Sequence, residues 1–259
     1  MPPKNLLNID WIKASVDCGK IHYFESVNST NSWLLKQGSC GDICISEKQT
    51  TGRGRRGNNW VSPEGNIYFS LNWCFDEIVE HWSLLGLVSG IAIAEALSDI
   101  GLEDHGVKWP NDIYWHKKKL GGILLETVDQ SGEIIIGIGL NINIPDNVKQ
   151  GIDQPITTLS EALKSEEISR DQLISRLIIR LQKNLKNFNQ LNFDQFKQSW
   201  QNWDILQGQE VSFNHQGLDV TGHVVDIDKH GRLGVLKLSG ERCFYSSADI
   251  KLTKSGVGK

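Results

Sequence analysis

"QTTGRGRRGNNW", residues 49–60, poses the first question about this chain. The protein has a formal net charge of −4, yet this stretch sets Arg53, Arg55 and Arg56 among Gly52, Gly54 and Gly57. Glycine costs order and neighbouring cations repel, so something must want both features together. One reading of such a composition is a disordered, solvated loop or an RGG-like nucleic-acid tract. The flanks favour another reading. Gln49 ends the apolar run "DICISEKQ", and Trp60 leads into "GNIYFSLNW", so the loop is anchored between two expected strands. Held there, it can offer backbone amides and guanidinium forks to a phosphate or a carboxylate.

The bulk numbers suit that second reading. A chain of 259 residues suggests one large domain, or a large one with a small companion. Apolar residues make up 39%, with 25 glycines besides, which is enough for a sizeable core. The acidic balance argues against a general binder of nucleic acid or acidic membranes, which needs a broad basic face. "MPPKNLLNIDWIKAS" lacks the apolar centre of a signal peptide, and "GEIIIGIGLNINIP" is far short of the roughly 20 residues that span a bilayer. Cys18, Cys40, Cys44, Cys74 and Cys243 are odd in number and scattered, which reads as a reduced, cytoplasmic protein. Cys40 and Cys44 could share a metal, but no second pair lies near, so they read as core thiols.

Along the chain, "KIHYFES" reads as a strand and "NSTNSWLLKQG" as a short helix, with Ser29 or Thr30 near its start and Gly38 as its stop. Glu80 to Ile100 reads as a helix apolar nearly all round, packed on a sheet. "HGVKW", "KLGGILLE" and "EIIIGIGLNI" follow as covered strands. In "SRDQLISRLIIRLQKNLKNF", Leu173, Leu177, Leu181 and Leu185 recur every fourth residue, and Ser169 with Gln172 resembles a capping box. "FDQFKQSWQNW" adds a short helix. After Asp204 the texture changes to short β-branched runs broken at "HQG", "DKHG" and "LSGE", the pattern of a small barrel. The boundary therefore falls at residue 204, dividing 1–204 from 205–259.

Three further clusters could carry chemistry. In "KWPNDIYWHKKKLGGILLE", residues 108–126, "WPND" is also an ordinary turn signature and "HKKK" could be a solvated hairpin tip. Lys119 directly before "LGG" nevertheless puts a cation at the mouth of an apolar strand. "NSTN", residues 28–31, serves equally as helix-capping chemistry or as hydroxyls and amides for a neutral polar group. In "GIGLNIN", residues 137–143, two glycines mark a bulge or a close ligand approach, and buried asparagines need partners. No GxxxxGK[ST], HExxH or GxSxG is present, and no third glycine follows at dinucleotide-fold spacing.

Taken in order, "STN" at 29–31, "GRGRRG" between Gln49 and Trp60, "KWPND" at 108–112, "KLGGIL" at 119–124 and "GIGLNIN" at 137–143 resemble the biotin–protein ligase family. The likeness runs from about residue 20 to 252. It implies an α+β fold: a mixed β-sheet packed by helices, of the class II synthetase-like, biotin–lipoyl ligase kind, with a small SH3-like C-terminal barrel. It also implies a reaction. Biotin and ATP give biotinyl-5′-AMP, Mg²⁺ travels with ATP, and a lysine of the biotin carboxyl carrier protein of acetyl-CoA carboxylase takes the biotinyl group. Fixed cations would offset the repulsion between carboxylate and triphosphate, and no protein nucleophile is needed.

Carried over by position, Ser29, Thr30, Asn31 and Gln49 would meet biotin's polar end, with Gly52 and Gly54 in the loop beside it. Arg53 would lie across the carboxylate. Arg55 and Arg56 would cover the phosphates, and Lys119 would stand between carboxyl and α-phosphate, so Lys119 and Arg55 are the catalytic pair. Gly122, Leu124, Gly137 and Leu140 would line the biotin pocket. Asn58, Trp60, Lys108, Asn111 and Asn141 would face ATP, and Asp112 would assist the metal. Asn58 departs from the family's frequent cation at that place, which implies a weaker phosphate contact. The loop is expected to be disordered until biotin and ATP arrive. The chain leaves no room for the DNA-binding domain of the repressor relatives, so the monofunctional type, without DNA or membrane partners, is expected. An exposed sheet edge could pair two copies as a homodimer, or receive the carrier domain. The competing readings are a lipoate ligase of the same fold and a ligand-sensing or RNA-binding module.

Overall fold

The computed structural model describes residues 6–75, 82–128, 132–165, 167–246, 248 and 250–252. Glu80 and His81 of the expected long helix lie outside the described residues, as do the outer ends of both expected domains. The larger sheet holds β1 (Ile21–Phe24), β2 (Ile43–Ser46), β3 (Ile67–Cys74), β4 (His105–Lys108), β5 (Asp112–Trp115), β6 (Lys118–Val128) and β7 (Glu133–Leu140). Their order is β1-β2-β3-β7-β6-β5-β4. β1 and β2 run parallel and every other pair is antiparallel, so the sheet is mixed, as expected.

Alternation along the strands sends one set of side chains into the main core: Ile43 and Ile45, Ile67, Phe69 and Leu71, Ile134, Ile136, Ile138 and Leu140. Helices α1 (Ile9–Ser15), α3 (Leu85–Ser98) and α6 (Arg170–Lys186) cover that face. α2 (Thr30–Gln37) packs instead on β2, β3 and β7 from the other side, where Leu34, Cys44 and Ile135 form a small separate cluster. α3 is buried nearly all round, which explains its lack of an amphipathic pattern. α6 buries Leu173, Leu177, Leu181 and Leu185 as the four-residue repeat predicts, and the Ser169 side chain accepts from Gln172 N. Each such leucine contributes roughly 1.5–3 kcal/mol on burial. The short helices are α4 (Asp146–Lys149), α5 (Leu159–Leu163) and α7 (Phe193–Gln201).

Beyond α7 a five-stranded antiparallel sheet forms from β8 (Glu210–His215), β9 (Leu218–Ile227), β10 (Leu233–Lys237), β11 (Arg242–Tyr245) and β12 (Lys251–Leu252), in the order β11-β10-β9-β8-β12. This is the small barrel-like unit expected from the glycine-punctuated tail. Its core side chains Val211, Val224 and Leu233 join the same hydrophobic cluster as the main sheet. The link is also polar: Ile205 N donates to Val107 O at 3.2 Å, and Trp109 Nε1 donates to Gly231 O at 2.8 Å.

Three features differ from expectation. α1 has no strong periodic signal, and β5 hides behind the turn residues of "WPND". Cys40, expected to be a core thiol, is exposed and joined to Cys74 in a disulfide with Cα atoms 5.7 Å apart. β2 and β3 are neighbours, which brings together two cysteines that sit 34 residues apart in sequence. Cys44 is buried as expected, and burial pushes its thiol up to about 12. Among the described residues no helix is long and apolar enough to cross a membrane.

Candidate active site

The site follows from strand parity. β6 and β7 pair so that Gly122 faces Gly139 and Leu124 faces Gly137, while Ser70 of β3 lies opposite Gly137 on the other side. Ile123, Ile138 and Leu140 enter the core, so Gly122, Leu124, Glu126, Gly137 and Gly139 share the opposite face. Gly122, Leu124, Gly137 and Gly139 of that face floor a cavity of about 1100 Å³, and Glu126 lies just beyond its lining. Close approach explains its glycines: a β-carbon on Gly137 would collide with Asn31 Oδ1, and one on Gly139 would stand 2.5 Å from Trp60 Nε1.

One end of the cavity is neutral and polar. Ser29, Thr30 and Asn31 are buried at the start of α2, where the Ser29 side chain caps Ser32 N. Thr30 N donates to Gln49 Oε1 at 2.9 Å, and Gln49 Nε2 donates to Ser62 Oγ at 3.0 Å. Ser70 Oγ lies 2.7 Å from Thr30 Oγ1 and 2.5 Å from Asn31 Oδ1. Every amide and hydroxyl here is therefore oriented by another.

The other end is cationic. Lys119 Nζ, on β6 and not at the hairpin tip, sits 2.9 Å from Asp112 Oδ1 and 5.2 Å from the centroid of the Trp60 ring. Its side chain is only 13% exposed. Arg55 Nη1 donates to Asn111 Oδ1 at 3.0 Å, and Asn111 Nδ2 donates to Ile123 O at 2.7 Å, which fixes the loop to β6. Arg56, Lys108 and Lys117 also line this end. Lys108 Nζ reaches Tyr114 Oη at 3.3 Å. Burial, and then the Asp112 charge, hold the Tyr114 hydroxyl above its ordinary range, so it stays a neutral partner.

The Arg/Gly stretch, expected to lack order, forms a tight turn. Gly54 N donates to Asn58 O at 2.7 Å, Trp60 N donates to Gly52 O at 2.9 Å, and Arg53 bridges Asn59. Arg56 and Gly57 take left-handed φ values of 56° and 78° to close it. The backbone satisfies its own donors and acceptors here, which the composition did not reveal.

Of the residues singled out from the sequence, Ser29, Thr30, Asn31, Gln49, Arg53, Gly54, Arg55, Arg56, Asn58, Trp60, Lys108, Asn111, Asp112, Lys119, Gly122, Leu124 and Gly137 line the cavity. Three do not. Leu140 is fully buried in the core because its strand parity turns it away from the floor. Asn141 is 3% exposed and donates to Lys119 O at 3.4 Å and Thr157 O at 3.2 Å, so it clamps backbone beside Lys119 and faces no cavity. Gly52 closes the neck of the turn beneath Trp60. Arg53 does line the cavity, but its guanidinium is held by Glu126. Sequence reasoning missed Glu126, Gly139, Tyr114, Lys117 and the 151–155 segment; Gly139 and Glu126 were legible from strand parity alone.

No cluster of three or more His, Cys, Asp or Glu side chains able to hold a metal occurs among the described residues. Asp112, the expected helper of Mg²⁺, has its carboxylate on Lys119. The described residues thus do not fit a resident metal.

A cavity with a neutral polar end, a glycine floor and a cationic mouth suits a substrate part neutral and part polyanionic. The profile of the Biotin/lipoate A/B protein ligase family matches residues 23–143. The Bifunctional ligase/repressor BirA of Salmonella typhimurium is 34% identical over 91% of this chain and 77% of its own length. The Biotin--[acetyl-CoA-carboxylase] ligase of Mycobacterium tuberculosis is 29% identical over 86% of this chain and 85% of its own. The structure of biotin protein ligase from Aquifex aeolicus in complex with biotin and ATP aligns with a TM-score of 0.78 at 32% identity, covering 91% of this chain and 99% of that one. The chain belongs to the biotin/lipoate A/B protein ligase family. Within that family, the Mycobacterium tuberculosis and Aquifex aeolicus proteins carry biotin in their names.

Proposed function

We propose that this protein is a biotin–protein ligase. It joins biotin to ATP as biotinyl-5′-AMP and passes the biotinyl group to the lysine of a biotin carboxyl carrier protein of acetyl-CoA carboxylase. A biotin carboxylate oxygen attacks the α-phosphorus, and the bond to the β-phosphate breaks with release of pyrophosphate. The carrier lysine's neutral amine then attacks the acyl carbon, AMP departs, and the amine's proton is lost. The observation carrying this reading is the two-ended cavity. Ser29, Thr30, Asn31 and Gln49 supply preset hydrogen bonds at one end, and Lys119, Arg55, Arg56 and Lys108 supply fixed positive charge at the other.

Lys119 is assigned to the reacting centre because its side chain is only 13% exposed and Asp112 fixes its direction on the glycine floor. Charge placed before the reaction costs no reorganisation as negative charge gathers. Leu124, Gly122 and Gly137 form the biotin floor, and Trp60 and Asn111 face the nucleotide. Mg²⁺ would arrive with the triphosphate. The reading includes a division into a catalytic part, 1–204, and a barrel, 205–259, and a cytoplasmic location where ATP is at hand. The carboxylase acceptor is supported by the Mycobacterium tuberculosis relative's name. Lipoate ligase is the second reading, since the matching family includes both. Pyrophosphate–ATP exchange separates them: exchange driven by biotin and not by lipoate is expected, and the reverse would overturn the assignment.

A further inference from the structure

Glu126 belongs to none of the groups just assigned, yet its carboxylate ties Arg53 of the turn to Asn31 of the pocket. It lies on the cavity face of β6, two residues past Leu124, with a side chain 20% exposed. Arg53 Nη2 approaches Glu126 Oε1 at 2.8 Å, and Arg53 Nη1 donates to Glu126 Oε2 at 3.1 Å and to Ser32 Oγ at 3.2 Å. Asn31 Nδ2 donates to the same Oε2 at 3.0 Å. One carboxylate therefore grips the arginine fork at two points and holds the amide that lies over Gly137. The partners lie 73 and 95 residues away in sequence, on the Arg/Gly turn and on α2.

We infer that Glu126 is a positioning residue that latches the Arg/Gly turn over the cavity through Arg53 and links that latch to Asn31, which faces the pocket floor. Arg53 then serves as the bolt of the turn, and the anionic parts of the substrates are left to Arg55, Arg56 and Lys119. A group entering against Asn31 would meet the same carboxylate that holds the turn, so occupancy of the floor and closure of the turn are coupled. The consequence for catalysis rests on the adenylate-forming reading, but the latch itself does not.

The test compares the purified full chain with Glu126→Gln, Arg53→Gln and the double variant, without substrates, under limiting trypsin. Mass spectrometry follows cleavage after Arg53, Arg55 and Arg56, scored against cleavage at other sites; Arg53→Gln removes its own cleavage site, so the comparison uses Arg55 and Arg56. Partly exposed ion pairs hold by a factor of a few, so each single variant is expected to speed cleavage of the turn about fivefold. The double variant should add nothing further, because both partners serve one contact. Exchanging the partners, Arg53→Glu with Glu126→Arg, should restore protection. Unchanged cleavage in both single variants, or additive effects in the double, would overturn the latch. Should Glu126→Gln open the whole fold, cleavage rises everywhere, and Arg53→Gln, altered on the more exposed side, decides alone. If the wild type exchanges pyrophosphate with biotin, both single variants should also release more free biotinyl-AMP per turnover. A wild type that does not exchange refutes the ligase reading and leaves the proteolysis result standing.

Discussion

Replacing Lys119 by alanine removes a cation that Asp112 fixes at the mouth of the glycine floor. Its Nζ is held 2.9 Å from Asp112 Oδ1 and lies 5.2 Å from the centroid of the Trp60 ring. A pair of unit charges about 4 Å apart, at the effective dielectric of a partly buried site, interacts by about 4 kcal/mol. The loss is compounded because Asp112, 20% exposed, is left facing the arriving anions with no cation of its own. Water and the neighbouring arginines would recover part of it. A net barrier increase of about 2.7 kcal/mol or more remains, so biotin-dependent pyrophosphate–ATP exchange should fall at least about 100-fold. Asp112→Asn, which keeps the cation and loses only its counterion, should fall less. Exchange by Lys119→Ala within about threefold of wild type would refute the reasoning and reduce Lys119 to a structural partner of Asp112.

Other substitutions test separate parts of the site. Arg55→Gly cuts the tie from the turn to Asn111, and should release biotinyl-AMP so that bystander proteins appear on a streptavidin blot; a clean blot with intact activity would count against a retaining role. Gly137→Ala would drive a β-carbon into Asn31 Oδ1, and should raise the KM for biotin about tenfold, a loss of about 1.4 kcal/mol, where an unchanged KM would place biotin elsewhere. Asp204, buried where residues 203–205 join β4, has its carboxyl pushed up from 3.8 to about 6 by burial, against hydrogen bonds from Leu206 N and Trp200 Nε1 that pull it down. The folded state holds that proton longer than the unfolded state does. Its stabilising share is therefore full below about pH 4 and is lost as pH rises through about 6, a swing of up to about 3 kcal/mol. Urea midpoints from pH 4 to 7 should thus shift in favour of Asp204→Asn relative to wild type as pH rises; a constant difference would contradict the assignment.

What could be read from the sequence was what local pattern encodes. The i, i+4 leucines of α6, the cap at Ser29 and the clusters flanking apolar runs all sit where local rules place them. The glycines of "GIGLNIN" were read as a bulge or a close ligand approach, and parity shows what they approach in the fold: Gly137 and Gly139 meet Asn31 and Trp60. The same parity sends Leu140 into the core, a distinction that motif matching alone does not make. Asn141 has a site-like identity but a structural task, because the carbonyls it satisfies arrive from β6 and the loop before α5. Strand parity gives the face on which Glu126 stands, but its partners, like the Cys40–Cys74 pair, lie dozens of residues apart in sequence, so no local window displays those contacts. The order of the Arg/Gly turn was hidden for another reason: its backbone satisfies itself, and composition registers only its looseness.

The central claim is that one cavity activates biotin and hands it to a carrier lysine. Its most direct test incubates the purified protein with ATP, Mg²⁺, biotin and an acetyl-CoA carboxylase carrier domain, and reads the product by streptavidin blot and intact mass. A single biotinyl addition is expected on one lysine of the carrier, dependent on both ATP and biotin and lost when that lysine is replaced by arginine. A carrier left unlabelled by protein that is folded and binds ATP, or labelled with lipoate in place of biotin, would contradict it.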